Sequence, residues 1–151
     1  MRTELTRTFP VPLKKGFDYT DDFKIWPSWY AGMTHIIEPE TGEWAAPGDR
    51  VRFGYKLLGR HLEGVSILEE RVDGEMARFR TEVPGLPVFH FEYRFAAAGS
   101  EAFVLKVTME SEEPTSFFGK TIDRMLLPKV VERDLARSIE NLDDIFSAGM
   151  L

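Results

Sequence analysis

Between residues 50 and 110 the chain alternates apolar and polar residues with a period of two, with short turns between the alternating runs. In RVRFGYKLLG, Val51, Phe53, Tyr55 and Leu57 face one way, and Arg52 and Lys56 the other. In MARFRTEV, Ala77, Phe79, Thr81 and Val83 oppose Arg78, Arg80 and Glu82. In VFHFEYRF, Phe89, Phe91, Tyr93 and Phe95 oppose His90, Glu92 and Arg94. AFVLKVTME puts Phe103, Leu105, Val107 and Met109 on one side. Successive side chains of a strand point to opposite faces, so each run is a ribbon with one apolar face. Gly59-Arg60 reads as a tight turn, Asp73-Gly74 as a hairpin, and PGLP and AAGSE as short loops. None of these connections has room for the crossover helix that parallel strands require. The middle of the chain is therefore an antiparallel meander, and its apolar face needs a cover. HLEGVSILEERV adds a further strand, in which Gly64 is expected to host a bulge; this leaves the facing of His61 open.

The cover lies in the C-terminal third. TSFFGKTIDRMLLPKVVERDLARSIENLDDIF spaces Ile122, Met125, Leu126, Val130, Val131, Leu135, Ile139, Leu142 and Ile145 or Phe146 as one face of a helix. Thr115 or Ser116 is expected to cap it, and Pro128 to kink or break it. Before the meander, TELTRTFPV reads as a strand, although Arg7 shares a side with Leu5 and Phe9 and interrupts the alternation. KKGFDYTDD reads as a short helix. FKIWPSWYAG follows as short helical pieces, capped by Asp21 or Asp22, broken by Pro27 and ended by Gly32. THIIEPE is a strand, and ETGEWAAPGDR a loop. The expected fold is α+β: one domain over residues 1–151, with a curved antiparallel sheet of about six or seven strands around a long C-terminal helix. Two short helices follow its first strand.

Charge and composition remove several function classes. The 151 residues carry a net charge of -6, which repels nucleic-acid phosphates and anionic membranes alike. The absence of cysteine excludes disulfides, thiolate nucleophiles and cysteine-ligated metals. No apolar run approaches the ~18 residues of a membrane span. MRTELTRTF has no apolar stretch of the signal-peptide kind, so a cytoplasmic location is expected. His35, His61 and His90 lack metal-ligand spacing, and no phosphate loop, dinucleotide fingerprint or Gly-x-Ser-x-Gly elbow occurs. No metal or cofactor is expected. His90 belongs to the polar face. Arg71, Arg78, Arg80 and Arg94 are assigned to a solvated outer face, with an inward arginine gripping a carboxylate as the alternative.

The order of elements resembles the helix-grip fold of the START-like (SRPBCC) superfamily, which includes polyketide cyclase/dehydrase-like and lipid-transfer proteins. The resemblance spans nearly the whole chain. It is carried by FDYTDDFKIWPSWYAGMTHI, by the turn LLGRHLEG and by the terminal RDLARSIENLDDI. It implies a cavity between sheet and helix for a hydrophobic or amphipathic small molecule such as a lipid, quinone, isoprenoid or polyketide-like compound. The residues expected to line it are Trp29, Tyr30, Phe53, Tyr55, Phe79, Phe91, Tyr93, Phe103, Phe118, Ile122 and Met125. Periodicity alone would read the same aromatic face as a solid core. Tyr55 and Tyr93 stand out within it, because a buried hydroxyl needs a partner and two could orient a ligand oxygen. Three functions use such a fold: a binding module, a cyclase, aromatase or dehydratase, and a protein-interaction domain. The sequence names no catalytic residue.

FKIWPSWYAGMTH gathers Trp26, Trp29 and Tyr30, although the chain has only three tryptophans. A tryptophan here is expected to cap the open end of the sheet and to seek a partner for its indole N–H. Trp29 and Tyr30 are expected to rim or floor any pocket.

Overall fold

A computed structural model describes residues 1–39, 43–112 and 126–149. The meander forms as its alternation requires. Strands β1 (Arg2–Phe9), β2 (Met33–Pro39), β3 (Arg50–Leu57), β4 (Arg60–Val72), β5 (Met76–Glu82), β6 (Phe89–Ala97) and β7 (Phe103–Ser111) make one seven-stranded sheet in the order β1-β7-β6-β5-β4-β3-β2. Every pairing is antiparallel. Only the link from β1 to β2 crosses the sheet. It carries α1 (Leu13–Asp21), a 3-10 turn (Phe23–Ile25) and α2 (Trp26–Trp29), as Pro27 and the Asp22 cap on Lys24 N–H require. The result is the expected helix-grip fold, a curved sheet holding a long C-terminal helix.

That helix, α3 (Leu126–Ser147), buries Val130, Val131, Leu135, Ile139, Leu142 and Phe146 against the sheet. Pro128 lies in the first described turn of α3. The expected caps Thr115 and Ser116 lie outside the described residues.

Arg7 does not interrupt β1. Thr3, Leu5, Arg7 and Phe9 share the inner face, and the polar members reach α3: Thr3 Oγ1 donates to Glu132 at 2.9 Å, and Arg7 pairs with Asp143 at 3.3 Å. The tight turn is centred on Leu58 and Gly59, both at positive φ, rather than on Gly59-Arg60. Gly64 hosts no bulge. It pairs in register with Phe53, and a Cβ there would stand 2.7 Å from the Phe53 ring, so it makes room for that ring. The irregularity of β4 falls between Leu68 and Glu70. Register then puts exposed His61 on the outer face, opposite Lys56.

The outer face is laced by ion pairs: Arg52–Glu63, Arg78–Glu70, Arg80–Glu69, Arg80–Glu82 and Arg94–Glu92. Such exposed pairs contribute little to stability and keep the face solvated. Arg71 is the exception. Its side chain is 18% exposed and grips Asp21 of α1 through Nε at 3.0 Å and Nη2 at 2.8 Å, beneath the ring of Phe17. No helix of the described residues is long and apolar enough to cross a membrane.

Candidate functional site

The inner face divides into a filled half and a hollow half. Under β1 and β7 it is filled. Phe9, Phe103 and Phe146 pack ring to ring at 5.1 to 5.8 Å, and Phe103 is fully buried. A Cβ on Gly16 of α1 would overlap the Phe103 ring, so glycine lets the helix backbone close onto that ring. Phe103 is therefore core and does not line the cavity, contrary to expectation.

Under β3 to β6 the face is hollow. Phe53 and Tyr55, Ala77 and Phe79, and Phe91, Tyr93 and Phe95 form the wall, and Val131 of α3 closes the opposite side. The space free of atoms is about 820 Å³ counting its open mouth.

The segment that enters from α2 makes the floor. Trp26 stacks on Phe79 at 6.3 Å and meets Trp44 edge-on at 5.1 Å, and its Nε1–H donates to Thr20 O at 3.0 Å. Trp29 also lines the cavity and is 2% exposed, yet its Nε1–H has no partner among the described residues; nor has Thr20 Oγ1. α3 holds this segment by its backbone. Ser138 Oγ accepts from Ala31 N–H at 2.8 Å and donates to Asp134 O at 2.6 Å, and Asn141 Nδ2 donates to Trp29 O at 2.9 Å. The chain then turns at Gly32, at φ +94°, where a Cβ would stand 2.5 Å from the Tyr55 ring. Both the turn and the close approach require glycine.

Three tyrosine hydroxyls and one carboxylate gather at this end. Tyr55 Oη donates to Asp134 Oδ2 at 2.7 Å. Tyr30 interacts electrostatically with Asp134, Tyr55 and Tyr93. The hydroxyls of Tyr30 and Tyr93 make no hydrogen bond to a described protein group. Burial pushes all three phenols well above their ordinary value, and neighbouring charge adds to this. They are therefore held as O–H donors. Burial also raises the carboxyl of Asp134, against the opposing hydrogen bond from Tyr55 and the charges of Arg133 and Arg137. Burial likewise raises Asp21, which lines the other part of the cavity beside Arg71.

The sequence matches, over residues 1–146, the family described as polyketide cyclase / dehydrase and lipid transport. The chain belongs to this family. Solved structures agree on the fold. A START superfamily protein of Mycobacterium smegmatis superposes with a TM-score of 0.76 at 10% identity, covering 97% of each chain. The ZhuI aromatase/cyclase of a Streptomyces species gives 0.77 at 15% identity, over 100% of this chain and 96% of that one. A protein of Thermus thermophilus gives 0.74 at 16% identity, over 100% of both. At these identities the likeness is one of fold. No protein of curated function matches in sequence. Family and fold together support a site for a hydrophobic small molecule.

In this member of the polyketide cyclase/dehydrase and lipid transport family, the structure brings Trp29, Tyr30, Phe53, Tyr55, Phe79, Phe91 and Tyr93 around one cavity. Phe118, Ile122 and Met125 lie outside the described residues. Sequence reasoning missed Trp44, which stood in a stretch read as loop. Asp49 Oδ2 accepts from the N–H groups of Ala45 and Ala46, both at 2.9 Å, and this folds the loop so that Trp44 turns inward to 7% exposure. A tryptophan among turn residues was the available signal. Asp134 was also missed, because it sits among charged residues on a helix and only tertiary pairing sets it apart.

Proposed function

We propose that the chain binds an amphipathic small molecule in this cavity, with its apolar body against Phe79, Phe91 and the tryptophans and its oxygen at the tyrosine end. One observation carries this: at one end of the cavity the buried Trp29 Nε1–H and the hydroxyls of Tyr93, 5% exposed, and half-buried Tyr30 make no hydrogen bond to a described protein group. A buried polar group without a protein partner marks a place where a bound group completes the hydrogen bonding. The family description and the neighbouring folds support the same reading. A lipid, quinone, isoprenoid or polyketide-like compound has the right build.

The test is displacement of an environment-sensitive dye by a panel of such compounds, with native mass spectrometry of the complexes. Tyr93→Phe removes one hydrogen bond and is expected to weaken the best ligand about 3- to 10-fold while leaving the fold intact. A folded protein that binds no member of the panel at micromolar concentration contradicts the proposal.

A second reading, cyclisation or dehydration of the bound molecule, draws on the same tyrosines. A phenol held protonated in apolar surroundings donates to an oxygen that gains charge as bonds rearrange. Its test is turnover, and Tyr30→Phe would then reduce the rate without a matching loss of binding.

A further inference from the structure

The polar groups of the cavity are unevenly chosen. Trp29 Nε1–H and Thr20 Oγ1 are buried without a described protein partner, the Tyr30 and Tyr93 hydroxyls make no hydrogen bond to a described protein group, and all four residues line the cavity. Ser66 and Thr81, which also line the cavity, satisfy each other at 2.8 Å. Among the described residues no lysine, arginine or histidine lines the cavity. Asp21 is the carboxylate among the described lining residues, and its charge is balanced by Arg71, which is committed to it and, at 3.2 Å, to Asp73; Asp134 does not line the cavity and reaches it through Tyr55. Asp134 stands behind Tyr55 and accepts the hydrogen bond of its hydroxyl, so that hydroxyl turns no proton toward the cavity. The cations near Asp134 are Arg133 and Arg137, which are exposed on α3 and act on its carboxyl against the effect of burial.

A carboxylate entering this space would leave water, meet no cation among these residues and come close to a second negative charge. A neutral carbonyl or ether oxygen would accept from the waiting donors and meet no such repulsion. We infer that Asp134 sets the charge preference of the cavity: it takes neutral ligands bearing carbonyl or ether oxygens and rejects carboxylates of the same shape. Asp134 acts through Tyr55 and through its field, so it is a specificity-determining residue that does not touch the ligand. The inference rests on the proposed binding function and adds the ligand's charge.

The probes are 2-acetylnaphthalene and 2-naphthoate, which share a ring system and differ at one neutral or charged group. Binding is read by tryptophan fluorescence and by calorimetry at pH 7.5. In the wild type the ketone is expected to bind at least about tenfold tighter, the scale of a like-charge interaction in a partly polar medium. Asp134→Asn keeps an acceptor for Tyr55 and is expected to bring the two affinities within about threefold, by gain of naphthoate binding. Asp134→Glu keeps the charge and the preference. If Asp134→Asn does not fold, Asp134→Ser is the second variant, and the wild-type ratio already decides the preference. Naphthoate binding the wild type as tightly as the ketone overturns the charge preference. A ratio unchanged in the folded neutral variant overturns the assignment to Asp134. Failure of both probes to bind a folded wild type refutes the cavity reading itself.

Discussion

Ala77 gives a sharp test of whether the hollow half of the sheet is truly hollow. It lies on β5 opposite Tyr93, lines the cavity and is 5% exposed. Ala77→Leu adds three carbons at that point. If they enter free space, burial contributes about 0.8 kcal/mol per carbon, or roughly 2.4 kcal/mol in all. Ordering the leucine side chain takes back about 0.5–1 kcal/mol. The net gain is then about 1.5 kcal/mol, and the rise in melting temperature about 3–6 °C for a domain of this size. If the wall were packed solid instead, the same carbons would be forced into strained rotamers and destabilise the fold by about 1–3 kcal/mol. The two pictures differ in sign. Urea unfolding with matched m-values reads the difference directly. The same variant should weaken 2-acetylnaphthalene by more than about tenfold, since the leucine occupies the ligand's place. A destabilised Ala77→Leu that still binds the probe at wild-type strength would refute the reasoning.

Ser138 is fully buried and links α3 to Ala31, so Ser138→Ala leaves the Ala31 N–H without its acceptor. The expected loss is about 1–3 kcal/mol in urea unfolding, and a loss near zero would show that the contact is dispensable. The buried tyrosines have a pH signature. Their folded-state values lie above the ordinary phenol range, so the folded state holds these protons more tightly than the unfolded state. Their contribution is fully present below about pH 10 and is lost as pH rises beyond it. A spectrophotometric titration should show their phenolate absorbance appearing only as the circular dichroism of the native state disappears. Ionisation of Tyr30, Tyr55 and Tyr93 near pH 10 in a fully folded protein would contradict their burial.

The sheet was legible because period-two alternation survives any detail of packing. Val51, Phe53, Tyr55 and Leu57 face inward wherever the strand pairs, and each pairing from β3 to β7 is set by a short connection. The C-terminal helix was legible for the same reason, since Leu135, Ile139 and Leu142 recur at helical spacing. What alternation does not reveal is which inward residues meet other residues and which meet empty space. Phe91 and Phe103 carry the same local pattern. Phe103 is filled over by Gly16, Phe9 and Phe146, elements distant in sequence, whereas Phe91 faces the cavity. Arg7 looked like an error in β1 because its partner, Asp143, lies 136 residues away. Trp29 alone of the pair was expected at the pocket, yet both Trp26 and Trp29 line it. The indole of Trp26 is tied to Thr20 O, while that of Trp29 has no partner among the described residues. Asp134 acquires its meaning only through the Tyr55 hydroxyl.

That unpartnered indole offers the most direct test of ligand binding. The chain has three tryptophans, so an amide correlation spectrum of 15N-labelled protein contains three indole N–H resonances, assignable by Trp→Phe substitution. Titration with 2-acetylnaphthalene is predicted to shift the Trp29 indole resonance saturably, with the Trp26 indole, held by Thr20, moving less. All three indoles unmoved at millimolar ketone in the folded protein would contradict the claim that this cavity receives a ligand.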